Sequence, residues 1–126
     1  MRSDAFRAAV EAKNLDAAGD VLADDVVFRS PVVFKPYEGR EAVLVILGAV
    51  VQVFENFRYI GQAESDELAV LIFAARVGDR ELEGVDILRF DENDRVRELT
   101  VMVRPMSGVH ALAERMRAML EAAGAG

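Results

Sequence analysis

The chain has 126 residues, 52% of them hydrophobic, with no cysteine and one histidine. This composition suits one domain with its own core, and it excludes disulfides, thiolate chemistry and sulfur-ligated metals. The net charge of −7 disfavours partners such as nucleic acid or an anionic membrane surface.

The chain's organisation is simple. The longest apolar run, residues 42–51, is shorter than the roughly 18 to 20 residues needed to span a bilayer, and the first ten residues lack the apolar core of a signal peptide. We therefore expect a cytoplasmic protein with one domain over residues 1–122 and a flexible tail over residues 123–126. The sequence suggests neither a metal nor another cofactor.

The first half of the chain is predicted to be mainly helical. Residues 3–13 have helical spacing with Ser3 as N-cap, and residues 15–23 follow as a second short helix. A brief strand then ends at Pro31, and residues 30–39 are predicted to be irregular because prolines deny donors to a sheet. A longer helix over residues 39–57 is apolar nearly all round, which predicts that it is buried.

The second half alternates with a period of two. Residues 57–63, 68–77, 80–90 and 95–103 are predicted strands, and their short connections imply antiparallel neighbours. An amphipathic helix capped by Ser107 closes the chain. The predicted order is α-α-β-α-β-β-β-β-α, an α+β domain in which a curved antiparallel sheet carries helices on one face.

One acid stands out in the predicted sheet. The alternation of residues 80–90 places Asp86 on the same face as Leu82, Leu88 and Phe90. A two-residue loop at Gly78-Asp79 sets Asp86 opposite Leu71, and a loop at residues 91–94 sets it opposite Leu99. Both registers put Asp86 on an apolar inner face.

The opposite face of the predicted sheet is apolar at its centre and charged at its rim. Its central side chains are Val85, Ile87, Thr100 and Met102, and charged residues such as Glu83 and Arg104 surround them. This distribution is typical of an interface between identical subunits. We therefore expect a homodimer formed through this outer face.

The order of elements, together with the run EGVDILRFDENDRVRELTV, resembles the SnoaL-like branch of the nuclear transport factor 2-like superfamily. This cone-shaped α+β fold includes ketosteroid isomerase, polyketide cyclases and limonene epoxide hydrolase. The resemblance covers almost the whole chain. It implies the fold but not one activity, since the superfamily uses one cone for unrelated chemistry and for binding.

The resemblance assigns known roles to four positions of this chain. In ketosteroid isomerases the acid at the position of Asp86 is kept protonated and donates a hydrogen bond to an enolate oxygen. Their second donor, a tyrosine, is replaced by Phe6, and their catalytic base is replaced by Ser30. The carboxylate that cyclases and the epoxide hydrolase use is replaced by Val101. Ketosteroid isomerase and epoxide hydrolase activities are therefore not expected.

Asp86 accordingly has two interpretations. Burial would raise its pKa, so that a neutral carboxyl donates to a ligand carbonyl or a poised one shuttles a proton to or from a carbon acid or enol. In the structural interpretation Asp86 only bonds Tyr37, Tyr59 or a backbone amide and fixes the pocket wall. The sequence does not determine which way Tyr59 points.

Asp86 is thus the candidate catalytic residue of an apolar pocket. The candidate contacts for a small apolar ligand are Phe6, Ser30, Phe34, Tyr37, Phe54, Tyr59, Leu99 and Val101. We predict a small-molecule-binding protein, with an isomerase, cyclase or lyase acting on an apolar carbonyl or enol compound as its enzymatic form. The alternative is a ligand-binding or dimerisation module without enzymatic activity.

Overall fold

A computed structural model describes residues 1–122. The helices are α1 (Asp4–Glu11), α2 (Leu15–Val21), α3 (Arg40–Val53) and α4 (Met106–Ala122). The strands are β1 (Leu22–Arg29), β2 (Tyr37–Glu38), β3 (Glu55–Glu64), β4 (Ala69–Val77), β5 (Arg80–Phe90) and β6 (Val96–Arg104). The α+β class and the predicted order are confirmed, with β2 added inside the segment predicted to be irregular. The predicted tail, residues 123–126, lies outside the described residues.

The strands form one curved, open sheet in the order β2-β1-β6-β5-β4-β3. Strands β3 to β6 pair in antiparallel fashion, as predicted, but β1 runs parallel to β6. The prediction of an antiparallel sheet is therefore wrong for this pair, and the sheet is mixed. Short hairpin loops indicated only the pairing of sequential strands; β1 and β6 are far apart in sequence, so no loop indicated their direction.

The register of β5 is close to the prediction. Val77 pairs with Arg80 around the Gly78-Asp79 turn, and Asp86 lies opposite Leu71. On the other side Asp86 lies opposite Val101, whereas Leu99, the predicted neighbour, lies opposite Leu88. The β5–β6 connection is longer than predicted, and a register shift follows Arg89, so the pairing moves by two residues. A shift of two keeps every side chain on its predicted face.

The helix starts differ from the prediction in two places. Ser3 makes no side-chain cap to α1; instead its hydroxyl donates to Glu64 Oε2 at 2.6 Å, which ties the start of the chain to β3. The last helix begins at Met106, one residue before Ser107, so Ser107 lies inside the first turn rather than at its cap. The second helix, α2, does have a side-chain cap: Asn14 Oδ1 accepts a hydrogen bond from the Ala17 amide at 3.0 Å.

The helices cover one face of the sheet and enclose the core. α3 packs on β1 and α4, and α4 packs across β4, β5 and β6. The inner face is closed to solvent at Leu71, Phe73, Leu82, Leu88 and Leu99. The other face leaves large apolar side chains exposed, namely Ile60, Ile72 and Met102. Among the described residues, no helix combines the length and apolarity required to cross a membrane.

Candidate functional site

The Asp86 carboxyl lies on the inner face, as the alternation of β5 predicts. Its side chain is 7% exposed, and its neighbours on the adjoining strands are Leu71 and Val101. With Ser3, it is one of two buried polar or charged residues among the described residues. A carboxylate in such surroundings needs a partner, since desolvation of an isolated charge is costly.

That partner is Tyr59. The Tyr59 hydroxyl donates a 2.7 Å hydrogen bond to Asp86 Oδ2, and the ring is 7% exposed, so Tyr59 points inward. The ring meets Phe57 edge-on at a centroid distance of 4.9 Å, and Phe57 stacks on Phe73 at 5.0 Å. This aromatic packing fixes the direction of the hydroxyl. Within residues 1–122, Asp86 Oδ1 has no hydrogen-bond partner.

Burial raises the pKa of Asp86 from 3.8 to about 7. The hydrogen bond from Tyr59 favours the ionised form and opposes part of this increase. Burial, and then the nearby Asp86 charge, raise the pKa of Tyr59 well above its usual value, so Tyr59 stays a neutral donor. Near neutral pH, Asp86 therefore exchanges between a carboxylic acid that can donate from Oδ1 and a carboxylate that can accept.

Asp86 and Tyr59 border a cavity of about 280 Å³. Its wall is otherwise almost entirely apolar and comes from α1, α3, the inner sheet face and α4. Its aromatic and aliphatic side chains include Phe6, Phe28, Leu47, Val50, Val51, Phe54, Phe57, Phe73, Leu99, Val101 and Leu112. The cavity volume approaches the roughly 300 Å³ at which ligand sites generally begin.

The mouth of the cavity has a different character. The exposed lining residues are Glu11, Lys13, Asn14 and Leu15 around the α1–α2 turn, and Asn56 at the start of β3. Four of these five carry polar or charged side chains. The cavity therefore has an apolar body, a buried acid in its wall and a polar rim.

Most of the predicted contact residues meet at this cavity. Phe6, Phe54, Tyr59, Leu99 and Val101 line it together with Asp86. Their contact with a ligand stays a prediction, but the structure brings them into one wall. The presence of Phe6 rather than a tyrosine means that the donor beside Asp86 comes from β3 and not from α1.

Three predicted contact residues lie elsewhere. Phe34 is 102% exposed and outside the cavity, which corrects the expectation that it shapes the wall. Ser30 and Tyr37 line a separate groove against α4. The loop after β1 holds these residues away from the cavity. The Ser30 hydroxyl accepts from the Val32 amide at 2.9 Å where the chain turns outward. Strand β2 pairs with β1 and holds Tyr37 beside Phe28.

The sequence interpretation missed several wall and rim residues. Phe28 and Phe57 face inward, and the period-two pattern of their strands contained the signal. Lys13 and Asn56 gave no such signal, because their placement depends on positive φ angles of +54° and +53°. Among residues 1–122, no three His, Cys, Asp or Glu side chains come together in a way that could hold a metal ion.

The model of the SnoaL-like domain family matches residues 4–99. The chain belongs to this family. The superfamily predicted from the Gly84 to Phe90 motif and the strand after it is thereby confirmed. A comparison with curated protein sequences finds no significant match.

Solved structures agree with the family assignment. A steroid delta-isomerase from Pseudomonas aeruginosa is 43% identical, with a TM-score of 0.91 over 96% of this chain and 90% of that one. An uncharacterised cystatin-like protein from Silicibacter pomeroyi DSS-3 is 30% identical, with a TM-score of 0.91 over 95% and 85%. An NTF2-like protein of unknown function from Cytophaga hutchinsonii ATCC 33406, 18% identical, shares the fold with a TM-score of 0.66 over 84% and 89%.

Proposed function

We propose that this SnoaL-like protein binds an apolar small molecule that carries a carbonyl or enol oxygen, and that Asp86 recognises this oxygen. One observation carries the proposal. The Tyr59 hydroxyl binds Asp86 Oδ2 at 2.7 Å inside an apolar cavity and leaves Oδ1 available to a ligand. A plain structural pair would not need an adjoining cavity.

The chemistry follows from the two forms of Asp86. When neutral, the carboxyl donates from Oδ1 to a carbonyl or enolate oxygen, in a water-poor site where such a bond is strong. When ionised, it accepts from an enol hydroxyl while Tyr59 stabilises the charge. A pKa of about 7 makes both forms accessible at neutral pH. The apolar wall favours a hydrophobic ligand body and gives little further specificity.

Proton-transfer catalysis is the second candidate. It is favoured by the 43% identical relative, a steroid delta-isomerase, and by the resemblance to ketosteroid isomerases, in which the acid at the position of Asp86 binds an enolate oxygen. Ionised Asp86 would take the proton from the α-carbon at Oδ1 and, as the neutral acid, would return it to another carbon of the enolate, to a new alkoxide or to a leaving group. The reaction would be an isomerisation, cyclisation or elimination on an apolar carbonyl compound. Steroid isomerisation itself is not favoured. Phe6 lacks the hydroxyl of the tyrosine donor that the resemblance implies, and Ser30, at the position of the catalytic base, lies in the other groove.

Binding is tested with 2-naphthol, a fluorescent aromatic alcohol that resembles an enol. We expect Asp86→Asn and Asp86→Leu to bind it about tenfold more weakly, as the loss of a hydrogen bond to an ionisable group predicts. The control is Asp79→Asn, at an exposed turn acid with 94% side-chain exposure. Equal affinity of the wild type and both Asp86 variants contradicts the proposal.

Catalysis is tested separately. Deuterium incorporation at the α-carbon of a β,γ-unsaturated cyclic ketone is followed by proton NMR, with the wild type and Asp86→Asn compared. Faster exchange in the wild type alone supports the isomerase candidate. Naphthol binding without exchange supports the alternative, a ligand-binding module without turnover.

A further inference from the structure

The polar lining residues of the cavity lie in two places. Asp86 and Tyr59 are buried in the wall, whereas Glu11, Lys13, Asn14 and Asn56 are exposed at the rim. The lining between these places is largely apolar. A ligand that fills the cavity would therefore meet polar groups at its inner oxygen and again at its outer end.

Lys13 reaches the rim through an unusual backbone conformation. Lys13 follows the C-cap of α1, Ala12, and has a φ of +54°. Its amide donates to the Val10 carbonyl at 3.0 Å, and the Asn14 amide donates to the Ala9 carbonyl at 2.9 Å. This helix end is normally occupied by glycine, because a side chain is strained there. The fold requires no lysine at this position; glycine would serve the turn better.

The charges at the rim leave Lys13 unpaired. Glu11 forms an ion pair with Arg7 at 3.5 Å, and within residues 1–122 no acidic side chain lies within 4.0 Å of the Lys13 ammonium. Arg7 does not line the cavity, but its ion pair offsets the charge of Glu11, so the Lys13 ammonium is the rim charge without an opposite partner, on a chain of net charge −7. Lys13 is also one of only two lysines in the sequence, the other being Lys35.

From these observations we infer that the ligand carries an anionic oxygen group, such as a carboxylate, at the end remote from its carbonyl or enol oxygen. Lys13 binds this group, and the Asn56 carboxamide, which also lines the rim, supplies a further donor. The orientation rests on the proposed function, in which Asp86 holds the inner oxygen. The ligand class is thus an amphipathic anion with an apolar body, and the Lys13 ammonium offsets part of the repulsion that the acidic chain exerts on anions.

The test uses a matched pair of probes, 2-naphthol and 6-hydroxy-2-naphthoate, which differ by a carboxylate on the far ring. We expect the wild type to bind the naphthoate about fivefold more tightly, the size of a partly exposed ion pair, and this preference to shrink as salt is added. Lys13→Gln should remove the preference, so that the ratio of the two affinities falls to about one. Lys35→Gln, a change at the other lysine on the loop outside the cavity, is the matched control.

A second variant separates recognition from folding. Lys13→Gly relieves the positive φ, so it should unfold at a higher temperature than the wild type while losing the preference for the naphthoate. Tight binding of 2-naphthol with no preference for the naphthoate, or an unchanged preference in Lys13→Gln, overturns this inference and leaves the proposed function intact. Failure of both probes to bind overturns the proposed function, and the inference falls with it.

Discussion

The Tyr59 hydroxyl on β3 reaches Asp86 Oδ2 on β5 at 2.7 Å across the intervening strand β4. Tyr59 pairs with Phe73 on β4, and Phe73 pairs with Gly84 on β5, two residues before Asp86. Because Gly84 has no side chain, the Phe73 ring occupies the space over β5. The glycine of the Gly-x-Asp motif thus shapes the wall in which the acid is held.

The first prediction concerns this hydrogen bond. Tyr59→Phe removes the donor that favours the ionised form of Asp86, so the pKa of Asp86 should rise above about 7. At pH 8, where the carboxylate is largely ionised, the variant should lose about 1–3 kcal/mol of unfolding free energy. The carboxyl carbon of Asp86, followed by ¹³C NMR through a pH titration, measures the first effect, and urea denaturation measures the second.

Tyr37→Phe serves as its control, because Tyr37 lies on β2 and outside the cavity. It should leave the titration of Asp86 unchanged. A pKa that falls or stays constant in Tyr59→Phe would contradict the role given to the hydroxyl.

The second prediction is a dependence of stability on pH. In the folded chain the pKa of Asp86 is about 7, above its ordinary value of 3.8. Folding therefore favours the protonated form of Asp86. The unfolding free energy that this protonation contributes is fully present below pH 3.8 and is lost as the pH rises through about 7. Between pH 5 and pH 8 the wild type should lose about 2–3 kcal/mol of unfolding free energy relative to Asp86→Asn, which cannot ionise there.

Urea denaturation of both proteins at pH 5, 6, 7 and 8 measures this difference. Asp4, Glu55 and Glu64 have lowered pKa values and contribute with the opposite sign, but they are present in both proteins and cancel in the comparison. A constant difference between the two proteins over this range would show that Asp86 is ionised in the folded state throughout.

The sequence predicted the inner face of β5 because one physical rule, the alternation of side chains, survives errors in register. The predicted register sets Asp86 opposite Leu99, and the structure sets it opposite Val101, yet Leu99 and Val101 belong to the same face. The alternation rule could not predict which face Tyr59 lies on, because β3 has two register shifts, one on either side of Tyr59. The rim at Lys13 and Asn56 depends on positive φ values that residue types other than glycine do not signal.

The third prediction tests the place of Gly84. A Cβ added there would lie 2.7 Å from the Met102 carbonyl oxygen and would collide with the Phe73 ring. Gly84→Ala should therefore destabilise the fold by about 1–3 kcal/mol, the usual effect of overpacking, and should weaken naphthol binding because Phe73 is displaced from the wall. In Gly61→Ala the added Cβ meets the exposed Ile72 side chain at 3.3 Å, and this side chain can move. When both variants are compared by thermal denaturation, Gly61→Ala should therefore lose less stability than Gly84→Ala. Equal losses would mean that the tight contact at Gly84 has no special role.

The fourth prediction concerns the outer face of the sheet, which we expect to join two copies of the chain. Val85 lies opposite Met102 and Ile87 lies opposite Thr100, and Met102 is 56% exposed, so a contiguous apolar patch faces away from the helices. An ion pair between Arg104 and Glu83 at 2.7 Å flanks this patch, as a polar rim would.

Ile87→Glu or Val85→Lys should place a charge in the centre of the interface and yield monomers by light scattering. Val33→Glu, at a residue 42% exposed on the loop after β1, should leave the mass of the wild type unchanged. A monomeric wild type, or a mass that neither central substitution alters, rules out this interface.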